Sequence, residues 1–292
     1  QAVVEVVLHR RLENPHGIIV QAAFQGVGTK GAKGDGQHVY SSFPSKHFRL
    51  GRIGEQISFN FCTFHVAFAA GYMAGHAHTG RFFVYLHAFM LAMLGLVLAD
   101  HLLLLFIFWE LTTISSYLLI GFNHEEETAR ESARQALFVT GGGGLALLLG
   151  ALLLEATGTS AYLHTWLAGP QGLHQHTLYP LILACMLLAV FTKSAQFPFH
   201  FWLPNAMSAP TPVSAFLHSA TMVKAGIYLL MRLHPLLGGT SLWMGSLVMV
   251  GGVTALWGAW SALGPVDLKR VLAHTTLMGL GLLTLFMGGR TL

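Results

Sequence analysis

The sequence predicts an all-α protein, a polytopic transmembrane helical bundle with discontinuous helices, and three observations carry that expectation. Only 10% of the 292 residues are charged while 53% are hydrophobic, and the mean hydropathy is +0.58. A soluble domain carries roughly a quarter of its residues as charges. From Arg81 onward, apolar stretches recur with the length of about twenty residues that crosses roughly 30 Å of hydrocarbon. One of the most apolar regions, from Ala189 to Leu230, nevertheless holds two lysines, two histidines and four prolines. Groups of that kind are costly to desolvate, so their presence at membrane depth asks for a reason.

Residues 1–55 are polar and glycine-rich, as in "FQGVGTKGAKGDGQHVYSSFPSKHFRLGRIG". Without an apolar run long enough to span a bilayer or a helical period, they are expected to be irregular or disordered. Their first apolar cluster, "AVVEVVL", is short, interrupted by an acid and not preceded by basic residues, so it does not read as a secretory signal. Seven of the sixteen lysines and arginines lie before residue 56, and the formal net charge of +4 therefore describes neither half. Residues 56–80 are a transition segment whose apolar core, "FNFCTFHVAFAAGYM", is too short to read as a span.

Seven spans are expected within 81–292, at about 82–99, 101–122, 135–154, 178–199, 212–231, 242–262 and 271–289. Each must be helical, because lipid offers a backbone no other hydrogen-bond partner. Alternation then puts Arg81, Arg130, Arg134, Lys269 and Arg270 on one side and Arg232 and Arg290 on the other. The excess of basic residues predicts that the first side is cytoplasmic. Cys62 and Cys185 are too few and too far apart to suggest a disulfide framework or a thiolate metal site.

The polar residues inside the spans carry the functional reading. Glu110 sits near the middle of "LLLLFIFWELTTISSYLLIGF", where a carboxylate must be paired, hydrated or protonated. A structural role, bonding the hydroxyls of Thr112, Thr113 or Ser115, is the alternative. Lys193, in "VFTKSAQF", could reach an interface along its own stem, but Pro198 and the unpaired backbone around it favour a local hydrated break. Lys224, in "AFLHSATMVKAGIY", has apolar residues toward either end, which makes snorkelling harder. With His200 and His218 it forms a row of proton-exchanging groups, the composition of a proton relay. Pro198, Pro204, Pro210 and Pro212 remove amide donors and break helices, and such breaks recur in ion-coupled transporters. No nucleotide, haem, flavin or metal motif is present, so no cofactor is expected, and "GGGG" at 141–144 reads as helix packing rather than phosphate binding.

"FWELTTISSYLLIGF", "TKSAQFPFHFWLPNAMSAPTPVSAFLHSATMVKAGIYLL" and "DLKRVLAHTTLMGLGLLTL" closely resemble the proton-translocating module shared by the A subunit of Mrp-type sodium/proton antiporters and the antiporter-like subunits of respiratory complex I. The resemblance runs from about Gly71 to Leu292. It implies that Glu110 is the module's glutamate that pairs with the lysine of a broken helix, Lys193. His200 and His218 continue the relay toward Lys224, and Lys269 stands at the start of the last helix. The phrases "TMVKAG" and "FPFHFWLPNAM" are closer to the Mrp-type A subunit than to complex I. Residues 1–55 resemble none of the three helices that precede this module in the family, and the chain stops near the family's ninth helix. A fragment with an aberrant, frameshift-like N-terminus is therefore expected.

The function expected is that of a subunit of a multisubunit sodium (or other monovalent cation)/proton antiporter in a bacterial inner membrane. It would move protons through Glu110, Lys193, His200, His218, Lys224 and Lys269 without being an enzyme. Other membrane antiporter subunits, monovalent cations, protons and the lipid bilayer are the expected partners, and nucleic acid is not. Two alternatives stay open: a proton-translocating subunit of complex I or a membrane hydrogenase, and a membrane scaffold that transports nothing.

Overall fold

Apolar stretches of about twenty residues suit membrane-spanning helices rather than the shorter strands of a closed barrel, and every regular element among the described residues is helical. The computed structural model describes residues 66–76, 78–169 and 172–289, the side chains of 168 and 218–220 excepted. The expectations for residues 1–55, and for residues 56–65 and 77 of the 56–80 segment, lie outside that range. The chain divides into two units, 1–75 and 76–292. In the first, residues 66–72 are helical.

The second unit holds α1 (Thr79–Leu98), α2 (Leu102–Ile120), α3 (Glu127–Ala156), α4 (Tyr179–Lys193), α5 (Thr211–Leu237), α6 (Ser241–Ser261) and α7 (Leu268–Gly289). All but α4 are long and apolar enough to cross a membrane. The protein is thus a multi-pass membrane protein, as the spacing of its apolar stretches predicts. Local chemistry sets several ends. The His101 ring accepts the Leu103 amide at 3.2 Å to cap α2, and the Thr240 hydroxyl accepts the Trp243 amide at 3.2 Å to cap α6. Pro180 occupies the first turn of α4, where its missing N–H costs nothing.

The span expected at 178–199 ends early. Helix α4 stops at Lys193 after 15 residues, about 22 Å at the helical rise, short of the hydrocarbon thickness. Ala195 takes a left-handed φ of 49°, and Pro198 disfavours helical backbone at Phe197. Helix α5 is the innermost of the long helices: 87% of its apolar window is buried, against 33–44% for the other five. Its entry is irregular, with Thr211–Ser214 α-helical and Ala215–Thr221 a π-helix.

The loop charges separate as alternation requires. The Arg81 guanidinium lies 5.4 Å from the ring centroid of Phe122, and Arg130 donates to the carbonyls of His124 and Glu125 at 2.7 and 3.1 Å. Asp267 and Arg270 share a cleft of about 520 Å³ with Thr128 and Glu131 on that same face. Arg232 lies at the other end, 3.6 Å from Asp100. Arg290 falls outside the described residues.

Helices α6 and α7 meet backbone to backbone. A Cβ on Gly281 would stand 2.5 Å from the Ala255 amide nitrogen and 2.8 Å from the Gly251 carbonyl oxygen. No flexible side chain is there to yield, so the helices themselves would have to part. Gly281→Ala is expected to lower stability by about 1–3 kcal/mol, the usual cost of overpacking. Gly279→Ala, with nothing within 4 Å of its added carbon, should leave stability unchanged or slightly raised, since alanine is the better helix former. Thermal unfolding followed by tryptophan fluorescence in detergent compares the two.

Candidate functional site

The site is built around the end of α4. Stopping a helix at membrane depth frees amides and carbonyls that lipid cannot satisfy, and the chain supplies partners of its own. Ser194 N donates to Val190 O at 2.9 Å and Gln196 N to Phe191 O at 2.8 Å. Phe197 N donates to Thr254 Oγ1 on α6 at 2.9 Å, and Trp202 Nε1 donates to Thr192 O at 3.0 Å. From there Phe199–Phe201, Trp202–Asn205 and Ala206–Ser208 step through single helical turns to Pro210.

Lys193, the last residue of α4, is completely buried. Its ammonium does not snorkel. Nζ donates to Trp109 O at 3.1 Å, Thr112 Oγ1 at 2.8 Å and Thr113 Oγ1 at 2.8 Å, all on α2. Both hydroxyls in turn donate to Trp109 O, at 2.7 and 3.1 Å, which leaves their lone pairs aimed at the ammonium. Three donors therefore meet three acceptors, and the Trp109 ring centroid lies 5.1 Å from Nζ as a further cation partner.

Glu110 follows Trp109 on the same helix but does not join this cradle. Among the described residues the two ion pairs within 4.0 Å are His164–Asp100 and Arg232–Asp100. Glu110 and Lys193, the pair implied by the resemblance, therefore make no contact within 4.0 Å, yet they lie near enough for each charge to be felt by the other. Nor does Glu110 bond the nearby hydroxyls: Thr112 and Thr113 serve Trp109 and Lys193, and Ser115 Oγ donates to Leu111 O at 2.6 Å. The Glu110 carboxyl turns toward Gly144 of α3, where Oε1 is buried without a hydrogen-bond partner.

His200 stands on the turn Phe199–Phe201, its ring stacked on Phe197 at 5.6 Å and edge-on to Trp257 at 5.5 Å. Its Nδ1 is buried and unpartnered, as are Gln196 Oε1 and Ser208 Oγ along the same break. His274 on α7, not selected from the sequence, has a buried unpartnered Nδ1 as well, and lies near enough to His200 for a charge on its ring to be felt there. His218 is placed in the π-helix, but its side chain is outside the described residues. Lys224 lies half-buried just beyond that π-helix. The two lysine-bearing segments touch where Ser194 Oγ donates to Val223 O at 2.7 Å, each partner being the immediate neighbour of a lysine. Lys269 is not part of this cluster. It sits at the loop end of α7, and its Nζ donates to Ala209 O at 3.3 Å.

A second group of charges, also missed in the sequence, occupies the opposite end. Asp100, between α1 and α2, holds His164 Nδ1 at 2.5 Å and the Arg232 guanidinium at 3.6 Å, and accepts the His164 amide at 3.2 Å. Tyr228 OH, one turn before Arg232, donates to Val97 O at 2.9 Å. These contacts fix the outer end of α5 against the α1–α2 turn. Among the described residues no group of His, Cys, Asp and Glu is arranged to hold a metal.

Fold and site together define a polytopic helical membrane protein with a lysine and a carboxyl buried beside an interrupted helix. Residues 99–291 match the family model described as "NADH:quinone oxidoreductase/Mrp antiporter, TM", and the chain belongs to that family. It is similar to a probable K(+)/H(+) antiporter A/B subunit of Rhizobium meliloti, 49% identical over 220 residues, which are 75% of this chain and 22% of that protein. It is also similar to a Na(+)/H(+) antiporter A subunit of Bacillus subtilis, 46% identical over 209 residues, 72% of this chain and 26% of the relative. Among solved structures, the Mrp complex from Dietzia sp. DQ12-45-1b aligns with a TM-score of 0.63 at 43% identity, over 70% of this chain and 22% of that one. An archaeal membrane-bound sulfane sulfur reductase aligns with a TM-score of 0.59 at 26% identity, over 69% of this chain and 42% of that one. The family read from the sequence motifs is borne out. The chain spans about a quarter of the length of the curated relatives, between 22% and 26% for the two named.

The cradle has a measurable consequence. The double variant Thr112→Val/Thr113→Val removes two of the three acceptors of a buried ammonium, and stability should fall by about 2–4 kcal/mol, the scale for leaving a buried charged group under-satisfied. Adding Lys193→Met removes the stranded charge and should recover most of that loss. Thermal unfolding in detergent measures both steps, and an unchanged melting temperature in the double variant would show that these hydroxyls do not hold Lys193.

Proposed function

We propose that this chain is the proton-handling part of a subunit of a multisubunit monovalent cation/proton antiporter in a bacterial inner membrane. The observation that carries the reading is the placement of Lys193, fully buried at the point where α4 breaks and held by neutral oxygens rather than by a carboxylate. Among the described residues no carboxylate lies within 4.0 Å of this ammonium, so its charge is not locked in a tight ion pair. An ammonium held by two hydroxyls and a carbonyl can give up its proton without leaving an unpaired anion behind. The names of the relatives, which describe Na(+)/H(+) and K(+)/H(+) antiporter subunits, support the same class of activity.

In this reading Glu110 and Lys193 exchange charge states as protons pass, and movement of the proton is coupled to sodium or another monovalent cation. The polar atoms left without protein partners along the break, Gln196 Oε1, His200 Nδ1 and Ser208 Oγ, are the donors and acceptors a hydrated path would use. His200 and His218 lead toward Lys224 on α5. Lys269, beside the cleft lined by Glu131, Asp267 and Arg270, marks the face from which protons are exchanged, and the positive-inside rule makes that face cytoplasmic. The transport module is taken to run from residue 81 onward, and other membrane antiporter subunits are its partners.

A second reading is favoured by one observation, the likeness to an archaeal respiratory membrane complex. In that case redox chemistry in partner subunits drives the same proton path.

Cation-dependent proton flux in everted vesicles, with the complete complex at matched expression, tests the proposal. Glu110→Ala and Lys193→Ala should each lower flux by about tenfold or more while sparing assembly, and the double variant should be little worse than either, since the two act as one unit. Near-normal flux in Glu110→Ala would remove the pair from the mechanism. Flux that required an electron donor and ignored a cation gradient would favour the redox-driven reading.

A further inference from the structure

The four glycines at 141–144 lie on one helix, α3, yet their surroundings differ. A Cβ on Gly142 would meet nothing within 4 Å, and one on Gly141 only Thr113 Cγ2 at 3.9 Å. On Gly143 it would overlap Thr192 Oγ1 and stand 2.8 Å from Thr192 Cβ. On Gly144 it would overlap Glu110 Oε1 and stand 2.7 Å from the carboxyl carbon.

The two overlaps have different consequences. Thr192 is β-branched, and its hydroxyl is tied to Leu188 O at 2.9 Å and Ala189 O at 3.0 Å, so it has nowhere to turn. A methyl group at 143 therefore pushes α3 and α4 apart. Glu110 is the free end of a flexible side chain, and a methyl group at 144 displaces that end alone. The location of the carboxyl is set by this space rather than by a bond, because Oε1 is buried with no hydrogen-bond partner and Glu110 makes no ion pair among the described residues.

We propose that Gly144 is a positioning residue for proton transfer. The side chain it lacks leaves a seat in α3 that holds the Glu110 carboxyl apart from the Lys193 ammonium while the threonine hydroxyls hold the lysine. The inference rests on reading Glu110 and Lys193 as the transport pair, and Gly144 acts only through Glu110. Coulomb energy in a poorly screened site varies steeply with separation. Moving the carboxyl out of its seat thus alters the coupling between the two groups and the pH at which Glu110 takes up its proton.

The test labels Glu110 with dicyclohexylcarbodiimide, an apolar reagent for protonated carboxyls, in native membranes that hold the whole complex. Mass spectrometry follows the extent of labelling across pH, and cation-dependent proton flux is measured on the same membranes. Gly144→Ala should move the labelling midpoint by about half a pH unit or more, as expected when a neighbouring charge changes distance. It should also reduce flux by about tenfold at normal assembly. Gly142→Ala should do neither. In a Glu110→Asp background, where the carboxyl is one methylene shorter and no longer reaches the seat, adding Gly144→Ala should change flux by no more than about twofold, the mark of two positions that act through each other. An unmoved midpoint in Gly144→Ala, or the same shift in Gly142→Ala, would overturn the proposal. Absence of cation-dependent flux in wild-type membranes would instead overturn the transport reading, with the midpoint shift still deciding the seat.

Discussion

A single ammonium group organises this protein. Lys193 is buried completely, and everything needed to keep it there is arranged around the end of α4. The helix must stop for the lysine to sit at its last turn. The stop frees backbone groups that lipid cannot satisfy, and the side chains of Thr254 and Trp202 pair with the Phe197 amide and the Thr192 carbonyl from within the protein. The ammonium itself takes three oxygens from α2. Lysine, broken helix and hydroxyl cradle are thus one structural solution.

The position of Glu110 follows from the same cradle. Because the hydroxyls already supply what the ammonium needs, the carboxyl is not required as a permanent partner and can lie against α3 instead. In the proposed mechanism these two charges, on α2 and α4 and not bonded to each other, form a pair whose coupling depends on a small displacement. A permanent buried salt bridge would resist proton exchange, since breaking it strands a charge. A separated pair has no such barrier. The Asp100, His164 and Arg232 contacts hold the Arg232 end of α5, while its entry, Ala215–Thr221, is a π-helix, a rare form found frequently at functional sites.

Much of the fold was legible because lipid imposes length and hydropathy on every span. Glu110 and Lys193 stood out for the same reason: an ionisable residue inside an apolar run is conspicuous. The early end of α4 was only half readable, since Pro198 signals a break without saying that the helix stops five residues earlier. The acceptors of Lys193 were not readable. Thr112 and Thr113 look like partners for the adjacent Glu110, and only the packing of α3 against both α2 and α4 brings them within reach of a lysine 80 residues away. Gly144 hid in a run of four glycines whose members are indistinguishable until their neighbours are known. Asp100, in the turn between α1 and α2, and His164, in a short 3-10 helix, are 64 residues apart, so no pattern links them. The Glu110–Lys193 pair implied by the family resemblance is present as two charges near enough to feel each other but without a contact within 4.0 Å, because Trp109 O and the two threonine hydroxyls take up the ammonium while the carboxyl lies against Gly144.

The central claim is that Glu110 changes protonation as cations and protons are exchanged. Infrared difference spectroscopy on the purified complex reads this directly, since a carboxylic C=O stretch is present only when the group is protonated. On addition of sodium near neutral pH, a carboxylic band should change intensity in the wild type, vanish in Glu110→Gln and shift in Lys193→Met. Difference spectra with no band that depends on Glu110 would contradict the account.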